Sequence, residues 1–343
     1  MQKYSSDPVS INIYPALAHE EDLTPDCGVL FDSVCEEIRS ATKGFGCDKG
    51  KLIQSLGATI PEDRLKISLR YNDLYEKSLK DVIKKEVSGD FGTAMKYLSL
   101  PPVEAECQMI KHACKGIGSH QAVLYSILCG RSNKDMELLK KTYYKMFTTD
   151  LTGVMSSELG GMLGGNFWKL ISASLQAAEE TFDPDFHTEE KAAEDAEQIW
   201  KKGQGKFFGA SESTIFKVIV LSPPKYLKMV NEAYADKYGY TLEKAMDKNL
   251  GGNAEKAAIF TINMRFKPYE AIAEVIKSAC AGIGTDELLL TCCVIRYQDI
   301  MAHVNFAHEE MFGKSVHDRI RSECGGVHKD LLLELMKKVC PEE

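Results

Sequence analysis

The sequence reads Gly44-Phe45-Gly46 early in the chain, and the same Gly-X-Gly pattern returns as Gly116-Ile117-Gly118 and Gly282-Ile283-Gly284. Each copy follows a stretch in which apolar residues recur every three or four positions, which is the period of an amphipathic helix. In the first stretch these residues are Leu30, Val34, Ile38 and Ala41. A second apolar helix is predicted after each loop, and strand signals are poor. The pattern predicts a protein built from helical repeats.

Self-similarity along the chain extends beyond these loops, because a further glycine turn precedes the last helix predicted in each unit. A weaker unit is recognised when Ile215-Phe216 is aligned with Leu52-Ile53. The predicted division has an N-terminal arm at 1–26, units at 27–100, 101–175, 187–265 and 266–343, and a linker at 176–186.

An acidic residue lies 41 or 42 positions beyond the first glycine of each Gly-X-Gly copy: Glu86, Glu158 and Glu323. Glycine tolerates positive φ, so such a loop can point its backbone carbonyls outward. A distant carboxylate that folds back to the loop completes an all-oxygen cage, which a hard cation such as Ca²⁺ requires. The matched pairs therefore predict calcium sites made of two parts.

Two units depart from this pattern. In the weaker third unit Phe207 replaces the first glycine and Asn249 occupies the carboxylate position, so we expect a silent or much weaker site. The second unit has Ser119-His120 where an acid follows the other loops, and a four-residue insertion after Glu158 that could displace this carboxylate.

Composition narrows the class of protein. The formal net charge is −8 and no block of five or more Lys and Arg residues occurs, so we expect no nucleic-acid partner. The 11 cysteines are scattered without a CxxC pair, which favours small hydrophobic residues in a reducing cytosol over a zinc site or disulfides. Neither a signal peptide nor an apolar run long enough to span a bilayer is recognised. These features predict a cytoplasmic protein.

The loops carry longer motifs, namely Lys43-Gly44-Phe45-Gly46-Cys47-Asp48, Lys115-Gly116-Ile117-Gly118-Ser119 and Gly282-Ile283-Gly284-Thr285-Asp286-Glu287. With Cys129-Gly130-Arg131-Ser132-Asn133 and Glu86-Val87-Ser88-Gly89-Asp90-Phe91, the chain resembles the annexin family from about residue 27 to 340. The resemblance implies an all-α fold of four repeats, each of about five helices, in a slightly curved disc. It also implies calcium-dependent binding to phospholipid, with the protein peripheral on membranes when calcium rises.

The resemblance assigns ligands loop by loop. The first site would use the carbonyls of Thr42, Gly44 and Gly46 with Glu86; the second, Cys114, Gly116 and Gly118 with Glu158; the fourth, Cys280, Gly282 and Gly284 with Glu323. A single carboxylate leaves net positive charge on the bound ion, so an anionic lipid such as phosphatidylserine would supply the missing oxygens. We expect the first site to be the strongest.

The loop tips are apolar: Phe45, Ile117, Phe208 and Ile283. At equivalent positions on one face these side chains could enter the lipid headgroups, and the alternative is that each packs inward onto its own repeat.

The sequence fits other functions less well than membrane binding. Gly313-Lys314-Ser315 resembles the end of a P-loop, but His308 stands where that motif requires glycine, and no HExxH, Gly-X-Ser-X-Gly or EF-hand pattern occurs. We therefore expect no enzyme activity. The alternative left open is a helical scaffold that binds cytoskeletal or other proteins through degenerate calcium sites, and self-association on membranes is left open as well.

Overall fold

We describe the protein from a computed structural model that covers residues 29–44, 46–116, 118–161, 165–203, 211–282 and 284–337. Within these ranges the secondary structure is helical, with no strand, so the predicted all-α class is confirmed. No helix in the described ranges is both long and apolar enough to cross a bilayer. The division of the chain into repeats at the stated boundaries stays a prediction.

Twenty α-helices follow one another in the described part of the chain. The first ten are α1 (Asp32–Thr42), α2 (Lys49–Leu52), α3 (Pro61–Tyr75), α4 (Leu79–Glu86), α5 (Gly89–Leu98), α6 (Pro102–Ala113), α7 (Gln121–Leu128), α8 (Asn133–Phe147), α9 (Leu151–Leu159) and α10 (Gly165–Leu175). The others are α11 (Glu189–Gly203), α12 (Ser211–Leu221), α13 (Pro224–Tyr238), α14 (Leu242–Asn249), α15 (Gly252–Phe266), α16 (Pro268–Ala279), α17 (Glu287–Arg296), α18 (Met301–Phe312), α19 (Val316–Glu323) and α20 (Gly326–Lys337).

Short helical turns complete the list of elements. Val29–Phe31 forms a 3₁₀ turn before α1, Gln298–Ile300 forms another before α18, and a π-helical turn at Ile53–Gly57 continues α2. Leu30 lies in the first of these turns and is 81% exposed, so its predicted place on the apolar face of α1 is wrong. Because α1 begins only at Asp32, the helical period does not extend back to Leu30.

Several helices begin at a capping side chain or end at a residue with positive φ. Side chains of Asp48, Asp150 and Asp286 accept hydrogen bonds from backbone N–H groups in the first turns of α2, α9 and α17, which stabilises these N-termini. Four longer helices, α3, α8, α13 and α18, end at a residue in the left-handed conformation: Glu76, Thr148, Gly239 and Gly313.

The chain forms two compact structural units, each larger than one of the repeated sequence units, and one of them contains residues 110–271. In this unit α11 packs against α13, and α10 packs against α12 and α15. Leu124, Leu170 and Phe216 are fully buried in it. An ion pair between Arg265 and Glu179 is largely shielded from solvent within the same unit.

The other unit contains the described residues up to 109 together with those from 272 onward. Here α17 and α20 pack against α5, and Leu331 of α20 lies so close to Gly57 that a Cβ there would approach Leu331 Cδ1 to 2.8 Å. Arg296, at the end of α17, donates from Nε to Glu106 Oε1 at 2.5 Å, and both side chains are 2% exposed. A buried charge pair of this kind is costly to break from one side.

Candidate functional site

The glycines of the three Gly-X-Gly loops share one backbone conformation. They follow α1, α6 and α16 and lead into α2, α7 and α17. Both glycines of every loop have positive φ, between 85° and 110°. The space that a Cβ would occupy is empty at all six, so the backbone angle, and not crowding, is what requires glycine.

One long-range hydrogen bond closes each loop. The N–H of Asp48 donates to Ala41 O at 2.9 Å, and in the other two loops His120 and Asp286 donate to Ala113 and Ala279 at 2.7 Å. In every case the bond spans seven residues and returns to the helix before the loop. The sequence therefore builds the same turn three times.

The predicted carbonyl ligands accept no hydrogen bond from the described part of the chain. No residue that the structure describes donates a hydrogen bond to the carbonyl oxygens of Thr42, Gly44, Gly46, Cys114, Gly116, Gly118, Cys280, Gly282 or Gly284. Backbone carbonyls without a partner are good ligands for a hard divalent cation.

The predicted carboxylates end short helices: Glu86 is the last residue of α4 and Glu323 of α19, while Glu158 is the last but one of α9. In the fourth loop Thr285 Oγ1 donates to the backbone oxygen of Glu323 at 3.0 Å, which joins the loop to the end of α19. The Glu86 side chain is 21% exposed, and Lys85 Nζ lies 3.6 Å from its Oε1.

In each loop the negative charge of the distant acid contributes to raising the pKa of a cysteine thiol. Burial, followed by the negative charge of Glu86, raises the pKa of Cys47. Burial and then Glu158 raise the pKa of Cys114 to about 12. The pKa of Cys280 is raised to about 11, again by burial first and then by the carboxylate, here Glu323. Each acid therefore lies within electrostatic reach of its own loop, although they are about 40 residues apart in sequence.

The second loop differs from the other two in its surroundings. Asp48 and Asp286 accept from the N–H groups of Lys51 at 3.0 Å and Leu289 at 3.1 Å, whereas within the described residues the side chain of His120 does not cap α7. Glu158 is exposed and borders an open cavity of about 550 Å³. Amides of Gln121, Asn166 and Asn253 line the same cavity. The predicted insertion falls partly on residues 162–164, which lie outside the described residues.

Of the positions compared with a calcium site in the third unit, the structure describes only Asn249, at the carboxylate position. Phe207, Phe208 and Gly209 lie outside the described residues. Asn249, the last residue of α14, donates from Nδ2 to Ala245 O at 2.8 Å. The amide NH₂ group is thus hydrogen-bonded to its own helix, and the silent or weak site expected in this unit stays a prediction. The loop tips Phe45, Ile117 and Ile283 also lie outside the described residues, so their insertion into headgroups stays a prediction, as it does for Phe208.

Comparison with known proteins places these loops in a family. The family model described as Annexin matches residues 33–98, 105–165 and 194–259, more than half of the chain. The chain belongs to the annexin family. The predicted resemblance is confirmed, and calcium-dependent binding to phospholipid is the property for which this family is known.

Individual annexins resemble this one over most of their length. Mouse annexin A13 is 27% identical over 319 residues, which are 93% of this chain and 98% of the relative. The solved structure of the K16A mutant of annexin A8 superposes with a TM-score of 0.80 at 22% identity, covering 89% of this chain and 93% of that one. Calcium-bound annexin (Sm)1 superposes with a TM-score of 0.72 at 24% identity, covering 91% and 92% of the two chains.

One cluster of potential ligands in this annexin was missed by sequence reasoning. Glu287, Cys324 and His328 bring a carboxylate oxygen, a sulfur and an imidazole nitrogen within 4.8 Å of one another. The three residues come from α17, the turn after α19, and α20, so they have no local spacing that a motif search could recognise. Scattered spacing alone favours interpreting Cys324, like the other cysteines, as a small hydrophobic residue.

Proposed function

We propose that this annexin binds anionic phospholipid membranes through calcium ions held between its Gly-X-Gly loops and Glu86, Glu158 and Glu323. The observation that carries the proposal is the threefold recurrence of the same glycine conformation and the same closing hydrogen bond, each time with a distant carboxylate in electrostatic reach. The donor set consists of neutral carbonyl oxygens and one carboxylate, which suits Ca²⁺ and is poor for softer metals.

The charge of the donor set explains why a lipid is needed. Three carbonyls and one carboxylate supply a single negative charge, so a bound divalent ion keeps one positive charge and open coordination positions. Phosphate oxygens of an anionic lipid would fill those positions and neutralise the charge. The net charge of −8 on the chain opposes direct attraction to an anionic surface, and bound calcium is what would overcome this repulsion.

The loops should contribute unequally. The first and fourth combine the carbonyls, the acid and an aspartate that caps the following helix. The second has an exposed acid beside a wide cavity, so its carboxylate is less fixed. In the third unit Asn249 replaces the acid. We therefore propose the order first, fourth and second, with the third unit silent.

Sedimentation with lipid vesicles tests the proposal. Vesicles containing phosphatidylserine should carry the protein into the pellet when calcium is added and release it when a chelator exceeds the calcium. Vesicles of phosphatidylcholine alone should carry down much less. Binding that ignores the chelator would favour the scaffold alternative, and no binding in millimolar calcium would reject the calcium bridge.

A further inference from the structure

Beside the fourth calcium loop lies a second group of metal-binding atoms of a different chemical kind. Glu287 Oε2 is 3.1 Å from His328 Nδ1 and 3.6 Å from Cys324 Sγ. The side chains of Cys324 and His328 are buried, while that of Glu287 is 28% exposed. The cluster therefore has two buried members and one that solvent reaches.

The two separations made by Glu287 are close to those between neighbouring ligands of a tetrahedral coordination shell. Zinc-to-ligand bonds of about 2.0 to 2.3 Å place neighbouring tetrahedral ligands roughly 3.3 to 3.8 Å apart. The pairs at 3.1 and 3.6 Å fall near this range, and the sulfur and the imidazole nitrogen lie within 4.8 Å of each other. A fourth position would remain for water.

The imidazole is held by a partner on its far side. Thr291 Oγ1 lies 2.8 Å from His328 Nε2, so Nδ1 is the nitrogen that faces Glu287 and Cys324. Metal-binding histidines usually have their second nitrogen engaged in this way, because the hydrogen bond fixes the ring and its tautomer.

The first unit has side chains that do not ligate transition metals at the three equivalent positions. Lys49 opens α2 as Glu287 opens α17, Val87 follows α4 as Cys324 follows α19, and Phe91 is the third residue of α5 as His328 is of α20. In the first unit the ammonium of Lys49 lies over the ring of Phe91 at 5.8 Å from its centroid. A cation, an apolar residue and an aromatic ring are thus replaced, all three together, by side chains that ligate metals.

We propose that Glu287, Cys324 and His328 form a site for a divalent transition-metal ion of the zinc type, separate from the calcium sites. A thiolate and an imidazole select such an ion over calcium, which prefers oxygen ligands only. On binding, the thiol of Cys324 releases its proton to solvent, and the charges of thiolate and carboxylate balance that of the ion. Glu323 and the carbonyls of the fourth loop take no part in it.

Cobalt(II) is the probe for this site, because a cobalt–thiolate bond gives a charge-transfer band in the near ultraviolet and a tetrahedral shell gives visible bands. The full chain, reduced and free of calcium, should show both sets of bands with one equivalent of cobalt, and zinc should abolish them. Cys324→Val and His328→Phe introduce the residues of the first unit, and each should remove the thiolate band or weaken cobalt binding at least tenfold.

Two further variants make the result decisive. Cys47→Ser removes a half-buried thiol beside the first loop and should leave the bands unchanged. Glu287→Gln keeps the shape of the side chain, so it should fold even if the other variants do not, and it should weaken cobalt binding at least tenfold. Absence of a thiolate band in the unmodified chain, or a band that survives Cys324→Val, would overturn the proposal. Either outcome is independent of calcium-dependent sedimentation.

Discussion

Glu86→Gln isolates the part that a single carboxylate plays in the proposed first calcium site. The change removes one negative charge and keeps the size of the side chain. Glu86 pairs with the exposed Lys85 at 3.6 Å, and a pair of this kind contributes at most about 1 kcal/mol to the free energy of unfolding. The thermal melt should therefore change little.

The effect on calcium should be much larger. At the usual Ca–O distance of about 2.4 Å, a divalent ion and one negative charge attract by about 3 kcal/mol even with the dielectric constant of water. This energy corresponds to roughly a hundredfold in affinity. Because the amide oxygen of glutamine restores part of the interaction, we expect the calcium affinity of the first loop to fall by about 10- to 100-fold.

The assay is a calcium titration of sedimentation with phosphatidylserine vesicles. The half-maximal calcium concentration should rise in Glu86→Gln, towards the value set by the remaining loops. Asp81→Asn is the matched control, because it removes the same charge from the other end of α4 and should leave the midpoint unchanged. An unchanged midpoint in Glu86→Gln, or an equal shift in both variants, would show that Glu86 is not a calcium ligand.

Three other substitutions test separate parts of the structure. Asn249→Ala should not change the calcium midpoint, because a neutral amide stands in the third unit where the other units have a charged carboxylate; a higher midpoint would show that the third unit contributes to binding. Glu106→Gln should lower the free energy of unfolding in urea by about 3 kcal/mol, since it leaves Arg296 buried without its countercharge, and the calcium midpoint of vesicle binding should be unaffected. Burial lowers the pKa of His308, so the unfolded chain binds protons more readily than the folded one and stability should fall as the pH drops below about 6.5. His308→Asn should reduce this dependence when urea unfolding is compared at about pH 7 and about pH 5.5, and an identical pH dependence would contradict the assignment.

The local spacing of apolar residues and glycines was sufficient to predict much of the fold. Ile38, Ile110 and Ile276 are fully buried on α1, α6 and α16, as the spacing of apolar residues predicted. The glycines of the loops have the positive φ that their pairing suggested. These features depend on residues within a few positions of one another, and that is the range over which periodicity and turn chemistry operate. Leu30 shows the limit, since pattern alone did not reveal where the helix begins.

Contacts between residues far apart in the sequence were harder to predict. Glu106 and Arg296 are 190 residues apart, and their ion pair depends on how α6 and α17 pack. The carboxylates of the proposed calcium sites could be selected because the same spacing recurs in three units. The cluster around Glu287 occurs once, so no repetition marked it in the sequence.

A crystal structure of the protein soaked in calcium would test the central claim most directly. Calcium identified by anomalous scattering should lie about 2.3 to 2.6 Å from the carbonyl oxygens of Thr42, Gly44 and Gly46 and from both carboxylate oxygens of Glu86. Equivalent density should appear at the fourth loop. A saturated crystal in which these loops hold no ion, from a protein that still sediments with anionic vesicles, would contradict the assignment.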